Sequence, residues 1–187
     1  EGSQGEENVS DQLLGDLTGN GGAGLHILIQ EAIPLEDDQG ADLLLATDPD
    51  SDRVGVMART QRGEFATISG NQMGALLVNF VLNMRKAELN EKSTLVKTIV
   101  TSELGAIIAK QNGLKVLETL TGFKFIGEVI KNHEATGEGS YIFGFEESYG
   151  YLKGTYARDK DAVVASLLIC EMAAYYKERG MTLCDAR

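Results

Sequence analysis

Short apolar runs and helically spaced apolar positions alternate along the chain from residue 41 onward. The run at 41–46 is too short for an ordinary helix and predicts a buried strand, which ends before Pro49 because proline cannot donate to a strand ladder. Similar apolar or β-branched runs predict further strands, at residues 53–59, 64–69, 94–100, 114–117 and 141–145.

Between these strands the apolar residues recur with the spacing of helices. Met73, Leu76 and Phe80 give one apolar face to a predicted helix at about residues 71–87. Further helices are predicted from Thr101-Ser102 to Gly113, from Phe123 or Phe125 through Ile130, and from Lys160 or Asp161 to Gly180. Strands that alternate with helices favour an α/β fold, with a layered mixed sheet and flanking helices.

The segment before residue 41 has a different composition. Residues 1–24 are rich in Gly, Ser and acidic side chains, which predicts a flexible lead-in. Residues 25–33 are apolar enough for a strand or a short helix, and Pro34 ends that element.

Composition and charge narrow the classes of partner. An apolar fraction of 43% in 187 residues is ordinary for a globular protein. A net charge of −11 argues against nonspecific binding to nucleic acid or to an anionic membrane, so a phosphorylated ligand would have to be attracted by a local cluster of cations. No apolar run reaches the length of a membrane span. Cys170 and Cys184 are the two cysteines and favour a reducing, cytoplasmic location, with structural thiols preferred to a disulfide.

The loop after the first predicted strand carries the densest chemistry in the chain. Asp48, Asp50 and Asp52 alternate within it, and Arg53 follows them. Carboxylates this close repel one another, and a hard divalent cation such as Mg²⁺ relieves that repulsion. A solvated acidic turn is the alternative. A calcium EF-hand is excluded, because counting from Asp48 its sixth position is Arg53 where Gly is needed and its twelfth is Arg59 where Glu is needed.

Two other polar turns also follow predicted strands. They contain Thr121-Gly122 and Glu146-Glu147-Ser148, and ligands of layered α/β sheets gather beyond the ends of strands. Each turn alone is weak evidence for a binding site, since Thr-Gly before a helix and Glu-Glu-Ser in a solvated turn are both common. A further polar stretch, Gly70-Asn71-Gln72, begins the first predicted helix and either caps it or docks an anion.

Taken together and in this order, the motifs resemble those of the α-D-phosphohexomutase superfamily, and within it the bacterial phosphoglucomutases of the branch that includes phosphopentomutase-like enzymes. The resemblance covers about residues 41–174. The motifs that carry it are Asp48-Pro49-Asp50-Ser51-Asp52-Arg53, Thr119-Leu120-Thr121-Gly122-Phe123-Lys124, Gly144-Phe145-Glu146-Glu147-Ser148-Tyr149-Gly150 and Arg158-Asp159-Lys160-Asp161.

The resemblance implies a reaction and a set of roles. Enzymes of this superfamily interconvert sugar 1-phosphates and 6-phosphates through a bisphosphate intermediate and an enzyme phosphoserine. The residues matched to the Mg²⁺ ligands are Asp48, Asp50 and Asp52, with an oxygen of the phosphoserine completing the set. The residues matched to phosphoryl or proton transfer are Arg53, Lys124 and Lys160. The residues matched to the sugar-binding turns are Thr121, Gly122, Glu146 and Ser148.

The chain also departs from the superfamily pattern. Neither the phosphoserine loop, of the Thr-Ala-Ser-His-Asn-Pro kind, nor the C-terminal phosphate loop, of the Arg-x-Ser-Gly-Thr-Glu-Pro kind, occurs in it. The resemblance therefore implies a fragment: residues 1–40 as a lead-in or remnant of family domain 2, 41–65 as the end of domain 2 with the metal loop, and 66–187 as domain 3 with the sugar loop. Such a fragment is expected to need the missing domains of the same polypeptide and to be inactive alone.

Gly150 favours a glucose substrate, because some phosphomannomutase-type members carry His at this position. A phosphomannomutase or phosphopentomutase of the same family stays open as an alternative. So does a stand-alone module that binds metal or sugar phosphate without catalysis. A phosphatase that uses Asp48 as its nucleophile is a third reading, which the additional Asp52-Arg53 and the Glu146-Ser148 turn make less suitable.

Overall fold

Two β-sheets form the framework of the part of the chain that the structure, a computed structural model, describes, residues 40–187. The predicted lead-in and the apolar segment at 25–33 lie outside the described residues. The first sheet is an antiparallel meander of β1 (Leu43–Thr47), β2 (Val54–Arg59) and β3 (Phe65–Ile68). Leu43 lies opposite Ala58 and Thr47 opposite Val54. The loop that contains Asp48, Asp50 and Asp52, called the aspartate loop below, therefore connects two paired strands.

The second sheet is mixed and has the strand order β5-β4-β6-β7. β4 pairs in parallel with both β5 and β6, and β7 returns antiparallel to β6. Its strands are β4 (Ser93–Thr98), β5 (Lys115–Thr119), β6 (Ser140–Phe145) and β7 (Tyr151–Lys153). The parallel strands end at the same edge of the sheet, where the loops that follow β4, β5 and β6 meet.

Five α-helices and one 3₁₀ turn complete the described residues. They are α1 (Gly70–Met84), the 3₁₀ turn (Lys86–Glu88), α2 (Glu103–Gln111), α3 (Phe123–Thr136), α4 (Ala162–Lys177) and α5 (Leu183–Ala186). Among these described helices none is long and apolar enough to cross a membrane. The predicted class, an α/β fold with a mixed sheet between helices, is confirmed.

The hydrophobic core divides between the two faces of the second sheet. On one face, Phe143 and Phe145 pack with α1, α4 and the first sheet in one continuous cluster. On the other face, Val96 and Tyr141 pack against Ile126 of α3. The first sheet and the helical layer thus share a core, while the predicted domain boundary at 65–66 falls within β3 and stays a prediction.

The strand predicted at residues 94–100 ends earlier than its apolar run. β4 stops at Thr98, and Ile99 and Val100 lie in the following turn with more than half of their surface exposed (54% and 55%). The next helix, α2, is also unusual, because it turns small residues such as Ala106 and Ala109 inward while Leu104 is exposed. The reason is close packing of its inner face: a Cβ at Gly105 would lie 2.7 Å from the ring of Phe145 and 3.6 Å from Val78 of α1.

Candidate active site

The aspartate loop is a tight turn built on Asp48. One oxygen of the buried Asp48 carboxylate, Oδ1, accepts the backbone N–H groups of Asp52 and Arg53, each at 3.1 Å. The other, Oδ2, accepts Nε of Arg53 at 2.6 Å. Ser51 adopts a left-handed backbone conformation (φ 56°), which is uncommon for a residue with a side chain. Burial opposes ionisation of Asp48, but the hydrogen bonds from Arg53 outweigh it and lower the pKa of the carboxyl group.

The three predicted metal ligands lie together. Asp48, Asp50 and Asp52 each offer a carboxylate oxygen, and these oxygens lie within 4.8 Å of one another. A set of three hard oxygen donors that leaves positions for further ligands suits Mg²⁺, so the residues present fit the predicted ion. Two cations already contact this set: Arg53 at Asp48, and Lys160, whose Nζ lies 2.7 Å from Oδ2 of Asp52.

The predicted sugar turn connects β6 to β7. It is closed by a hydrogen bond from the backbone N–H of Glu146 to the carbonyl oxygen of Gly150 (2.9 Å), and Tyr149 within it has a positive φ of 68°. The side chain of Glu146 is buried and accepts the backbone N–H of Gly122 at 3.1 Å. Burial raises the pKa of Glu146, an effect that Lys160 and the Gly122 N–H partly offset.

The aspartate loop and the sugar turn are in direct contact. Arg53 forms an isolated β-bridge with Gly150, and the N–H of Val54 donates to the carbonyl oxygen of Tyr149 at 3.3 Å. A side chain at Gly150 would displace Lys160, because a Cβ there would lie 2.5 Å from Cδ of Lys160 and 3.2 Å from Oε2 of Glu146. Lys160 therefore lies between the aspartate loop and the sugar turn and contacts both.

An open cleft of about 820 Å³ lies beside these loops. It runs from the aspartate loop along one side of α3 to the segment before α4. Its lining residues are Asp50, Ser51, Asp52, Lys124, Gly127, Glu128, Lys131, Ala157, Arg158, Asp159, Lys160 and Asp161. The predicted residues Lys124 and Lys160 are among them, whereas Glu146 and Ser148 are not.

The remaining predicted residues lie around the N-terminus of α3 and in the sugar turn. Thr121 is exposed, Gly122 precedes the helix with a φ of 119°, and Ser148 is half-buried. The side chain of Lys124 lies over the ring of Phe125, with Nζ 5.0 Å from the ring centre. The structure thus brings the four motifs to one region.

Lys131 is a cleft residue that the sequence motifs did not identify. It lies seven positions after Lys124, and residues seven apart fall on the same face of an α-helix. That spacing was the available signal, but an exposed lysine on a helix is too common to point to a site by itself.

Of the two readings of Gly70-Asn71-Gln72, the helix cap is the one observed. Ser69 and Gln72 form a reciprocal capping box at the start of α1. The side-chain oxygen of Asn71 accepts the N–H of Ser102 at 2.9 Å, and the backbone of Glu147 lies directly against Gly70. The first turn of this helix is therefore occupied by the protein's own groups, so the anion-docking alternative is not supported.

Comparison with known proteins defines the class to which this fold and site belong. The family described as phosphoglucomutase/phosphomannomutase, alpha/beta/alpha domain III, matches residues 69–187. The chain is 41% identical over 160 residues to a phosphoglucomutase of Staphylococcus aureus, an alignment that covers 86% of this chain and 28% of that protein. The chain therefore belongs to the phosphoglucomutase/phosphomannomutase family, and it spans about a quarter of the length of the curated relatives it matches.

Solved structures share the fold. A phosphoglucomutase/phosphomannomutase family protein from Burkholderia thailandensis superposes with a TM-score of 0.61 at 19% identity, over 80% of this chain and 30% of its own. An N-acetylphosphoglucosamine mutase from Aspergillus fumigatus, solved in complex with GlcNAc-6P and magnesium, gives a TM-score of 0.55 at 16% identity, over 77% of this chain and 34% of its own. The resemblance to the phosphohexomutase superfamily is thereby confirmed.

Proposed function

We propose that this chain is the metal-binding and sugar-recognising part of a phosphoglucomutase, which interconverts glucose 1-phosphate and glucose 6-phosphate through a bisphosphate intermediate and a phosphoserine. Its matched relatives carry the phosphoglucomutase name. The phosphoserine and the other domains would come from elsewhere in the same polypeptide, so the chain alone is expected to bind ligands without turnover. We place the enzyme in the cytoplasm, which is consistent with two free cysteines, Cys170 and Cys184.

Asp48, Asp50 and Asp52 would hold Mg²⁺. When bound, the ion would neutralise negative charge on the phosphoryl group during transfer. The hydrogen bonds that keep Asp48 ionised support this role, because a metal ligand must be deprotonated. Arg53, already fixed by Asp48, would contact the transferring phosphate.

Glu146, with Ser148 beside it, would bind the ring hydroxyls of the sugar next to the Thr121-Gly122 turn. A buried carboxylate can accept hydrogen bonds from two hydroxyl groups. Both orientations of the bisphosphate present neighbouring ring hydroxyls to it. Lys160 is suited to phosphate contact or to proton transfer, because it lies between this turn and the metal loop. Lys124 supplies a second cation in the cleft.

The single observation that carries the proposal is the direct contact between the aspartate loop and the sugar turn, through the Arg53–Gly150 bridge and Lys160. The two loops are separated by about 90 residues in sequence, yet a phosphate beside the metal and a sugar beside Glu146 could belong to one small molecule. A stand-alone metal site would not require this contact.

The test is an assay of the full-length polypeptide on glucose 1-phosphate with and without Mg²⁺, with mannose 1-phosphate as the competing substrate. Replacing Asp50 by Ala should reduce turnover by about two orders of magnitude or more, a loss typical of removing electrostatic stabilisation from a transfer reaction. Phosphate should appear on a serine, not on Asp48. Normal turnover in the Asp50→Ala variant, or turnover by the isolated 187-residue chain, would contradict the proposal.

A further inference from the structure

The two consecutive glutamates at the start of the sugar turn face in opposite directions. Glu146 turns toward the N-terminus of α3, where it accepts the N–H of Gly122. Glu147 turns the other way, and its Oε2 atom lies within hydrogen-bond distance of the hydroxyl groups of Thr98 (3.2 Å), the last residue of β4, and of Thr101 (3.0 Å), which follows it. A role for Glu147 must therefore be sought on the side away from Gly122.

The partners of Glu147 are themselves held rigidly. Thr98 and Thr101 are buried, and their hydroxyl oxygens lie 2.6 Å apart. Nζ of the fully buried Lys97 donates to the carbonyl oxygen of Thr101 at 3.0 Å. This bond fixes the backbone of the segment that follows β4. On the other side, the N–H of Ser102 donates to Asn71 of α1. The threonines thus form a fixed base for the carboxylate.

The backbone of Glu147 is fixed as well. A Cβ added to Gly70 would lie 2.0 Å from the carbonyl oxygen of Glu147, so the sugar turn lies directly on the first residue of α1. The hydroxyl of the buried Tyr151, just after the turn, donates to the carbonyl oxygen of Gly70 at 3.2 Å. The turn and the residue after it therefore rest on α1, and the Glu147 side chain connects the start of the turn to the end of β4.

We propose that Glu147 is a positioning residue: through its bonds to Thr98 and Thr101 it holds the sugar turn so that Glu146 meets the sugar hydroxyls. This inference rests on the proposed function. Other contacts act on the backbone of the turn: α1 lies against Glu147 and Tyr149, Arg53 forms a bridge with Gly150, and the N–H of Val54 donates to Tyr149. Glu147 supplies the side-chain bonds nearest to Glu146, which explains why two adjacent glutamates have separate tasks.

The activity test uses the full-length polypeptide and four variants: Glu147→Ala, Glu147→Gln, Thr101→Val and the Glu147→Ala/Thr101→Val double variant. Glu147→Ala should lower kcat/KM about 10- to 100-fold, since a displacement of about 1 Å in a site can cost two orders of magnitude. Glu147→Gln keeps an acceptor oxygen for the hydroxyls and should recover most of that loss. The double variant should be little worse than Glu147→Ala, because both changes break the same contact.

A second measurement does not depend on activity. In the 187-residue chain, hydrogen exchange of the backbone amides at 146–150 should accelerate about tenfold in Glu147→Ala, as expected when a turn loses local protection, while the melting temperature changes little. Glu138→Ala, which removes a glutamate that is exposed, is the control for the loss of one negative charge and should leave exchange at 146–150 unchanged.

The outcomes separate the two proposals. A kcat/KM within twofold of the unmodified enzyme in Glu147→Ala, additive losses in the double variant, or unchanged exchange at 146–150 would each overturn the positioning role. A purely structural role would lower the melting temperature without changing kcat/KM per folded molecule, and Glu147→Gln would then offer no recovery of activity. If the unmodified full-length polypeptide showed no mutase activity, the proposed function would fail while the exchange measurement would still decide whether Glu147 holds the turn.

Discussion

Asp52 already contacts two cations, Lys160 and Arg53 (Nε at 3.3 Å from Oδ1), and a bound metal would be a third. Nζ of Lys160 lies 2.7 Å from Oδ2 of Asp52, and the same carboxylate is one of the three placed to bind a metal. Burial opposes the charge on Lys160, but the bonds to Asp52 and Asp159 outweigh it and raise the pKa of the lysine. If Asp52 binds a metal as proposed, we expect the ion pair to weaken and Lys160 to become available for phosphate.

Replacing Lys160 by Gln should tighten metal binding to the 187-residue chain by about two- to fivefold. A partly exposed ion pair contributes roughly 0.2–1 kcal/mol, and removing it removes a competitor for Asp52. Titration calorimetry with Mn²⁺ or Mg²⁺ would measure the change. Lys131→Gln is the matched control, because Lys131 lines the same cleft without a described contact to the three aspartates; equal tightening in both variants would argue for a general field effect instead.

The buried carboxylate of Glu146 suits its proposed role in binding sugar but lowers the stability of the fold when it is ionised. Because burial raises its pKa, the folded protein holds this proton more tightly than the unfolded chain does. The resulting stability is fully present below the unfolded pKa and is lost as the pH rises through the folded pKa. Above the folded pKa the Glu146 carboxylate is ionised, and its burial then opposes folding.

Glu146→Gln should raise the free energy of unfolding at neutral pH and lower the affinity for sugar phosphate. Glutamine keeps an acceptor for the N–H of Gly122 but carries no charge to desolvate. Denaturant unfolding at pH 7 and at pH 4 would test the first part, since the advantage over the unmodified chain should shrink at the lower pH. A variant that is less stable at pH 7 would show that the buried charge is favourable there.

The sequence could identify residues that lie in one loop, but not those whose role depends on packing. Asp48, Asp50 and Asp52 were predictable because their spacing alone brings the carboxylates together. The ion pair of Asp52 with Lys160 joins positions more than a hundred residues apart, and no local sequence pattern predicts it. The same is true of Glu147, whose partners Thr98 and Thr101 are read locally as the end of a strand and a helix cap.

Phe145 connects the helical layer to the sugar turn, because it is the last residue of β6 and immediately precedes Glu146. Its ring is fully buried against two glycines, Gly74 of α1 and Gly105 of α2. A Cβ at Gly74 would lie 2.2 Å from the ring, and one at Gly105 would lie 2.7 Å from it. The absence of side chains at these two helix positions is what admits the ring.

Gly74→Ala should lower the free energy of unfolding by about 1–2 kcal/mol, the range expected for overpacking a core. In an exposed helix the same change would gain about 1 kcal/mol, so the sign of the effect reports the contact with Phe145. The Gly74→Ala/Phe145→Leu double variant should lose less than the sum of the two single changes, because the smaller side chain makes room for the methyl group. Urea unfolding would measure all three, and a stabilised Gly74→Ala chain would contradict this account.

The elements themselves were largely predictable, apart from their ends and their inner faces. Helical spacing identified α1, α3 and α4 because each has large apolar side chains that face a core, such as Met73, Ile130 and Met172. The spacing misleads for α2, where contact with α1 requires small residues inside and leaves Leu104 exposed. The apolar run 94–100 likewise continues past Thr98, the last residue of β4, and apolar side chains alone do not reveal where pairing stops.

The charge of the molecule as a whole opposes its proposed ligand. The net charge is −11, and a phosphorylated sugar is itself an anion. The cleft lining combines five acidic side chains with four cations, Lys124, Lys131, Arg158 and Lys160. Arg158 is paired with Glu134, and Lys160 with Asp52, while neither Lys124 nor Lys131 has an acidic partner among the described contacts. These two lysines on one side of α3 are therefore the cations best able to attract phosphate.

Lys131→Glu should weaken the binding of glucose 1,6-bisphosphate to the 187-residue chain by about tenfold at low salt. The expected size follows from replacing an attraction by a repulsion near a solvated surface, a change of about 1.4 kcal/mol in total, which is tenfold in affinity. The difference from the unmodified chain should shrink as the salt concentration rises, because screening shortens the reach of exposed charges. Calorimetry at two salt concentrations would measure both effects.

Lys115→Glu is the control that distinguishes the effect of charge in the cleft from the effect of the net charge of the molecule. Lys115 is exposed on β5 and does not line the cleft, and its replacement changes the net charge by the same amount as Lys131→Glu. If the ligand responds to the cleft's own cations, Lys115→Glu will bind nearly as well as the unmodified chain. If it responds to overall charge, the two variants will lose affinity equally, and the local attraction inferred for α3 would have to be abandoned.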